Sequence, residues 1–486
     1  MKFSLNFTYQ KLEKFLLFLI LFFAFLVRLY RFDSPIADWH SWRQADTSSV
    51  SREFVKHGFD LLHPKYHDLS KTPSGLDNLE GYRFVEFPIF NILQAGGYVI
   101  FDYFSLEEWG RLVSIISSVI TVLFIYLLCR MYLNSVTALV AGATYAFLPF
   151  SIYYGRVILP EPLMNMAIIC GIYFFALWAK SRFSLNGYSL FWFVLSLIFT
   201  SSALLIKPFA IFFTLPMVAI AYVEYGFLFL KKPIIWIFLI AALVPLIFWR
   251  VWMSQFPSGI PASDWLFNGG GIRFKGAYFY WIYGERLAKL ILGYFALPLL
   301  MLGIFKHKNG HYFLVFLSFL TSSLLYLTVV ARGNVQHDYY QILILPTVAI
   351  FIGRGVSLVS EIKGANRQIA KILILVSVVF SISLSWFYVR DYYNTNYPIV
   401  EAGKKADEIL PQDALVIAPL DGDTSFLYQT NRRGWPVWQE DLKEMVKKGA
   451  DYLVIAAPTE KDVSGLGSEY EVVASSSAYL ILKLGP

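Results

Sequence analysis

Residues 15–32 read FLLFLILFFAFLVRLYRF, an apolar block from Phe15 to Val27 that follows Lys11 and Lys14 and runs on to Tyr30. A cleaved leader needs a small-residue cleavage site after its apolar run. Here Arg28-Leu29-Tyr30-Arg31-Phe32 follows instead, so the block reads as an uncleaved first membrane span. The rest of the chain has the same character. Of 486 residues, 57% are hydrophobic and 15% charged, with a mean hydropathy of +0.54. Soluble domains carry about 25% charge. Disorder, a collagen-like fibre and a disulfide scaffold are excluded, the last because only Cys129 and Cys170 are present, both in apolar runs. The chain is expected to be an α-helical polytopic membrane protein.

Further apolar runs near 111–130, 136–154, 161–179, 188–206, 208–224, 233–252, 287–305, 312–330, 339–359 and 370–389 each approach the length needed to cross a hydrocarbon core of about 30 Å. Phe87 to Phe104 is ambiguous, being apolar but broken by Asn91, Gln94, Gly96, Gly97 and Asp102. Positive charge decides. With 87–104 not crossing, the cytoplasmic links hold Arg130, Lys180, Arg182, Lys231, Lys232, Lys306, Lys308, Lys363, Arg367 and Lys371, while the short outer links hold Arg156, Lys207 and Arg332. Lys and Arg concentrate on the cytoplasmic side of membrane proteins. A crossing at 87–104 would invert that asymmetry. The expectation is about 11 transmembrane helices, with 87–104 a juxtamembrane or re-entrant helix on the outer side.

Two domains are expected: a membrane domain over 1–390, including a long first outer loop at 32–104, and a small α/β domain over 391–486. In the latter, Ala414 to Leu420, Tyr452 to Ala457 and Tyr479 to Leu484 read as strands and Gln439 to Lys448 as a helix. Residues 253–286, with Gly269-Gly270-Gly271, read as a mobile outer loop. No phosphate-loop glycine pattern is present, which argues against nucleotide binding and a nucleotide-driven pump. Nothing points to a nucleic-acid partner.

Ionisable residues in or beside a membrane bundle are costly and mark functional sites by default. They gather on the expected outer side. From Asp38, through His40-Ser41-Trp42-Arg43-Gln44-Ala45-Asp46-Thr47, to Gly58 the chain reads as a helix, and Arg43, Asp46 and Val50 share one of its faces. Glu86 precedes Pro88 and, taken alone, reads as an acid at a helix N-terminus. Glu161, between Pro160 and Pro162, allows the same reading, and Arg156 precedes it in the same link. Lys207, between Ile206 and Pro208, needs an anionic partner or a path to water. His337, Asp338, Tyr339 and Tyr340 open a later span; one His beside one Asp is weak as a metal site. Carboxylates suit proton abstraction from a hydroxyl, and Arg and Lys suit a departing phosphate. A lipid-attached phosphate leaving group fits this set.

The motifs HSWRQADT (40–47), SREFVKHG (51–58), VEFP (85–88), RVILPEP (156–162), LLIKP (204–208) and HDYYQILILP (337–346) occur in an order that resembles the GT-C superfamily of polyprenyl-phosphate-sugar-dependent glycosyltransferases. Within it the chain looks like the branch of lipid A aminoarabinose transferases and protein mannosyltransferase-like enzymes, glycosyltransferase families 39 and 83. The resemblance covers roughly residues 10–390. It implies a GT-C fold and an inverting transfer on the outer face of a bacterial or archaeal cytoplasmic membrane. It further implies a sugar donor on a polyprenyl phosphate, and an acceptor such as lipid A or lipopolysaccharide, another glycolipid or a protein. By that resemblance an acid of the first loop is the base. Many relatives carry adjacent Asp and Glu at the start of the first-loop helix and this chain does not, so either Asp38 or Asp46 holds that place, Asp46 being preferred for its position in WRQAD. Glu86 and Glu161 match acidic positions of the family, Lys207 a lysine near the donor phosphate, and Tyr339-Tyr340 a phosphate-side aromatic pair. His40, Arg43, Arg156 and His337 complete the expected binding set. Some GT-C enzymes use a divalent ion, which this sequence neither requires nor excludes. The alternatives are a polyprenyl-linked oligosaccharide polymerase or ligase and, from another class, a lipid-linked sugar flippase.

Overall fold

The computed structural model describes residues 2–305, 312–364 and 366–485. Lys306 and Lys308, counted above among the basic residues, lie outside the described residues. Helix α1 spans Lys2–Arg28, and the first loop carries α2 (Ser41–His57) and α3 (Ile89–Ile100). Then follow α4 (Leu106–Tyr132), α5 (Ser135–Phe147), α6 (Pro149–Tyr154), α7 (Glu161–Lys180), α8 (Tyr188–Ile206), α9 (Leu215–Tyr225) and α10 (Pro233–Met253). Residues 253–286, expected as a loop, instead hold short helices, α11 (Trp265–Asn268) and α12 (Gly276–Phe279), and lead into a π-helix at Tyr280–Ile291. The glycine run that suggested a loop supplies two left-handed residues, Gly270 and Gly271 at φ 67° and 66°, between these short pieces. The bundle closes with α13 (Leu297–Phe305), α14 (Phe313–Val329), α15 (Ala331–Gln336), α16 (Leu345–Ser360) and α17 (Asn366–Val389).

Among the described residues, seven helical stretches are long and apolar enough to cross a membrane: Leu106–Tyr132, Glu161–Lys180, Tyr188–Ile206, Pro208–Lys231, Pro233–Met253, Asp338–Ser360 and the one beginning at Asn366. The other four expected spans fall on α1, on α5 with α6, on α13 and on α14. Of these, α5, α13 and α14 are shorter, at 13, 9 and 17 residues. Pro149, which opens α6, divides the third expected span.

Helix α3 has 12 residues, which at 1.5 Å per residue give about 18 Å, too short to cross. The polar residues that interrupt its hydropathy bind neighbouring segments. Asn91 Nδ2 donates to Thr47 O at 2.6 Å, and Gln94 Nε2 donates to Ser48 Oγ and to Leu106 O, each at 2.9 Å. Helix α4 then starts from a reciprocal cap between Ser105 and Glu108.

Beyond α17 the chain forms α18 (Tyr397–Ile409), β1 (Leu415–Ile417), α19 (Thr424–Gln429), β2 (Arg433–Trp435), α20 (Leu442–Lys447), β3 (Tyr452–Ala456), α21 (Glu460–Glu469), β4 (Glu471–Ser475) and β5 (Tyr479–Lys483). The sheet order is β2-β1-β3-β5-β4. Strand β1 pairs in parallel with β2 and β3, and β5 runs antiparallel to β3 and β4. The three expected strands are present; β2 and β4 were not anticipated. Strand β4 is an exposed edge with an irregularity at Val472/Ala474, so it lacks the buried alternation that betrays a strand. Strand β2 is three residues centred on Gly434, at φ 153°, where a Cβ would sit 1.8 Å from Val416 O. On the far side of β2 the first loop adds backbone pairs, Leu69 N to Gly434 O at 2.7 Å and Gly434 N to His67 O at 2.9 Å. The sheet is thereby stitched to the loop that carries α2.

Candidate functional site

Helix α2 begins after His40, whose backbone is left-handed at φ 53°, an uncommon state for a residue with a Cβ. Its helical spacing brings Arg43, Asp46, Thr47 and Val50 to one small cleft, closed by Arg83, Glu86 and Pro160. Glu86 enters because Phe87 N donates to Leu205 O at 3.1 Å, tying the residue before Pro88 to the C-terminal end of α8. Lys207 follows that end. Its Nζ lies 2.9 Å from Glu161 Oε1 and 3.4 Å from Glu86 Oε1, and Arg43 Nη2 pairs with Glu86 as well. Glu161 Oε2 is buried without a hydrogen-bond partner.

Two cations and two carboxylates from four separate segments therefore form one buried, balanced cluster. Burial alone would raise the Glu86 carboxyl, but Arg43, Lys207 and Arg83 outweigh it and hold the group below its ordinary value. Burial alone would weaken the charge on Arg43; Glu86 and Glu161 reverse that and strengthen it. Asp46 borders the same cleft, with Arg83 Nη2 at 2.6 Å from Oδ2 and Thr424 Oγ1 at 2.8 Å from Oδ1.

Asp38 is held differently. Gln44 Nε2 donates to Oδ1 at 2.6 Å and Arg156 Nη2 to Oδ2 at 2.9 Å, and the Asp38 and Arg156 side chains are each 1% exposed. The guanidinium of Arg156 also lies over the Tyr153 and Tyr393 rings. Both Asp38 oxygens are thus engaged away from the cleft.

A third carboxylate, Asp338, gathers more donors than either. His40 Nε2 and Tyr154 OH each lie 2.6 Å from Oδ1, Trp39 Nε1 lies 3.2 Å from Oδ2, and Tyr392 OH also bonds Oδ2. His337 stacks against Tyr339 at 5.5 Å and near Tyr340 at 6.2 Å, with Trp42 at 5.7 Å. Burial, with His40 nearby, pushes the His337 imidazole down to about 4, so it is neutral near pH 7.

The structure brings Arg43, Asp46, Glu86, Glu161 and Lys207 together, pairs Asp38 with Arg156, and joins His40 to Asp338 beside His337, Tyr339 and Tyr340. Sequence reasoning passed over Arg83, Asp338, Tyr154, Tyr392 and Thr424. Asp338 stood in view inside HDYYQILILP; Thr424 had no local signal. Among the described residues no group of three or more His, Cys, Asp or Glu is placed to hold a metal ion. Glu86 and Glu161 are bridged by Lys207.

Residues 86–252 match the profile of the family described as dolichyl-phosphate-mannose-protein mannosyltransferase. A sequence comparison with curated proteins finds no match. The fold is similar to ArnT from Cupriavidus metallidurans bound to undecaprenyl phosphate, at a TM-score of 0.64 and 12% identity, over 96% of this chain and 97% of that one. It is also similar to the Archaeoglobus fulgidus oligosaccharyltransferase in complex with Zn and sulfate, at a TM-score of 0.56 and 12% identity, over 90% of this chain and 68% of that one. The fold is that of a GT-C membrane protein with a small C-terminal sheet domain. The family match spans about a third of the chain, and the structural likeness shows a shared fold.

Proposed function

We propose that this protein is a glycosyltransferase that moves a sugar from a polyprenyl-phosphate donor to a cell-envelope acceptor, a glycolipid such as lipid A or a protein, on the outer face of a bacterial or archaeal cytoplasmic membrane. One observation carries the reading: Asp46 borders a cleft with Arg43 and Glu86, and Glu86 is linked through Lys207 to Glu161. The Asp46 carboxylate takes the proton of the acceptor hydroxyl. The freed oxygen attacks the anomeric carbon from the side opposite the phosphate, the bond to the phosphate oxygen breaks, and the configuration inverts. Arg43 and Lys207, with Tyr339 and Tyr340 nearby, stabilise charge on the departing polyprenyl phosphate. Glu86 and Glu161 keep those cations in place, and the buried, unpartnered Glu161 Oε2 accepts from a sugar hydroxyl. Asp38 is disfavoured as the base because it does not line that cleft, its oxygens being held by Gln44 and Arg156 elsewhere. No step is routed through a metal ion.

Transfer measured as free polyprenyl phosphate released in membranes tests this. Asp46→Asn is expected to lose at least ~100-fold in rate, the lower range for a general base, whereas Asp38→Asn loses much less. Full activity in both variants would sink the mechanism. The likeness to an oligosaccharyltransferase favours one second reading, en bloc transfer of a glycan. A polyprenyl diphosphate as the released carrier would select it.

A further inference from the structure

Thr424, the first residue of α19, reaches from the C-terminal sheet domain to the carboxylate that the proposed function makes the base. Its Oγ1 lies 2.8 Å from Asp46 Oδ1 and 3.0 Å from Trp42 O. The contact is buried, with Thr424 at 7% and Asp46 at 4% exposure. It is also firmly seated. The Asp423 side chain caps α19 by accepting from Ser425 N at 2.8 Å. Arg52 donates to Tyr428 O at 2.8 Å, and its guanidinium lies 3.6 Å from the centre of the Tyr428 ring. Tyr428 OH bonds Glu107, and Gln429 Nε2 donates to Ile36 O at 2.9 Å.

A threonine hydroxyl has a single hydrogen to donate. Both atoms within its reach, Asp46 Oδ1 and Trp42 O, are acceptors. While Asp46 is ionised the hydrogen belongs on the carboxylate, since a bond to a charged acceptor is roughly twice as strong as one to a neutral carbonyl. Once Asp46 has taken a proton, the hydroxyl turns to Trp42 O, and the Thr424 oxygen keeps lone pairs for the new acid. One bond rotation serves both charge states, and no buried polar group is stranded during the reaction.

We propose that Thr424 is a positioning residue of the transferase, supplied by the C-terminal sheet domain, whose hydroxyl holds Asp46 in both charge states. The proposal rests on Asp46 being the base. The other groups around Asp46 are Arg83 and Arg43 as cations, Glu86, Asp68 and Asp423 as carboxyls, and the Tyr66 hydroxyl. All of them remain in the variants below.

The full chain is assayed in membranes of its own cells, where endogenous donor and acceptor are present, by release of polyprenyl phosphate across a pH series. Thr424→Val keeps the side-chain shape and removes the hydroxyl; Thr424→Ser keeps the hydroxyl. Thr424→Val is expected to lose roughly 10-fold in rate near neutral pH, the size of one buried hydrogen bond. Thr424→Ser is expected to stay near the parent rate and profile and to unfold at the parent temperature. A parent-like rate and profile in Thr424→Val overturns the proposal, and so does a Thr424→Ser as impaired as Thr424→Val. Asp46→Asn in the same assay separates the two levels: if it is inactive while Thr424→Val is normal, only the positioning role fails. A fully active Asp46→Asn removes the base itself.

Discussion

Asp68 lies almost wholly buried behind the cleft, accepting from Ser70 N at 2.7 Å, with Tyr66 OH 3.4 Å away. Burial, with Asp46 nearby, pushes its carboxyl from an ordinary 3.8 up to about 7. Below the ordinary value, folded and unfolded chains both carry the proton and the site costs nothing. Between the two values the unfolded chain releases the proton and the folded chain keeps it, so stability falls as the pH rises through that window. Asp68→Asn should therefore match the parent in thermal unfolding at pH 4 and exceed it at pH 8, by on the order of a few kcal/mol. Equal melting at both pH values would refute the assignment. At this scale the sequence was informative where a charge had apolar or proline neighbours. Glu86, Glu161 and Lys207 drew attention because each sits where charge is expensive. Arg83 and Thr424 sit in ordinary polar surroundings along the chain, and only the fold makes them partners of Asp46.

Among the elements, α16 is almost entirely enclosed by its neighbours, and glycines set how near they come. A Cβ on Gly355 would lie 2.0 Å from Leu299 O in α13, and one on Gly303 would lie 1.9 Å from Phe351 O in α16. On another side of α16, a Cβ on Gly353 would meet Thr137 O in α5 at 2.6 Å. These contacts are backbone against backbone, so nothing flexible can yield, and membrane helices use small residues for such approaches. Gly355→Leu is expected to wedge α13 from α16 and cost about 3 kcal/mol or more, the upper range for overpacking. Thermal unfolding in detergent measures it, and an unchanged midpoint would contradict the packing. The seven long apolar helical stretches were legible from apolar runs, whereas the break at Pro149 and the short α13 were not. The short helices of 253–286 and the strand β2 were not, because their conformation is fixed by what they dock against.

For the whole molecule, α7 runs from Glu161 at the cleft to Lys180, so the links bearing Arg182 and Lys232 lie at the opposite end, where Lys232 Nζ reaches Arg182 O at 3.4 Å. If the proposed orientation holds, Ser477→Cys, on the exposed turn between β4 and β5, reacts with a membrane-impermeant maleimide in intact cells. Lys363→Cys, at the opposite end, reacts only after the membrane is opened. The native Cys129 and Cys170 are buried and leave the background low. The reverse labelling pattern would overturn the orientation. The sequence by itself determined that this chain is a multi-pass helical protein with charged groups clustered at one end. It could do so because the hydrocarbon core fixes span length and the cost of charge locally, residue by residue. Only the tertiary structure decided which of the two acids lines the cleft, and their partners come from more than a hundred residues away, Arg156 for Asp38 and Thr424 for Asp46. Such pairings depend on how distant segments dock, and no local pattern along the chain encodes them.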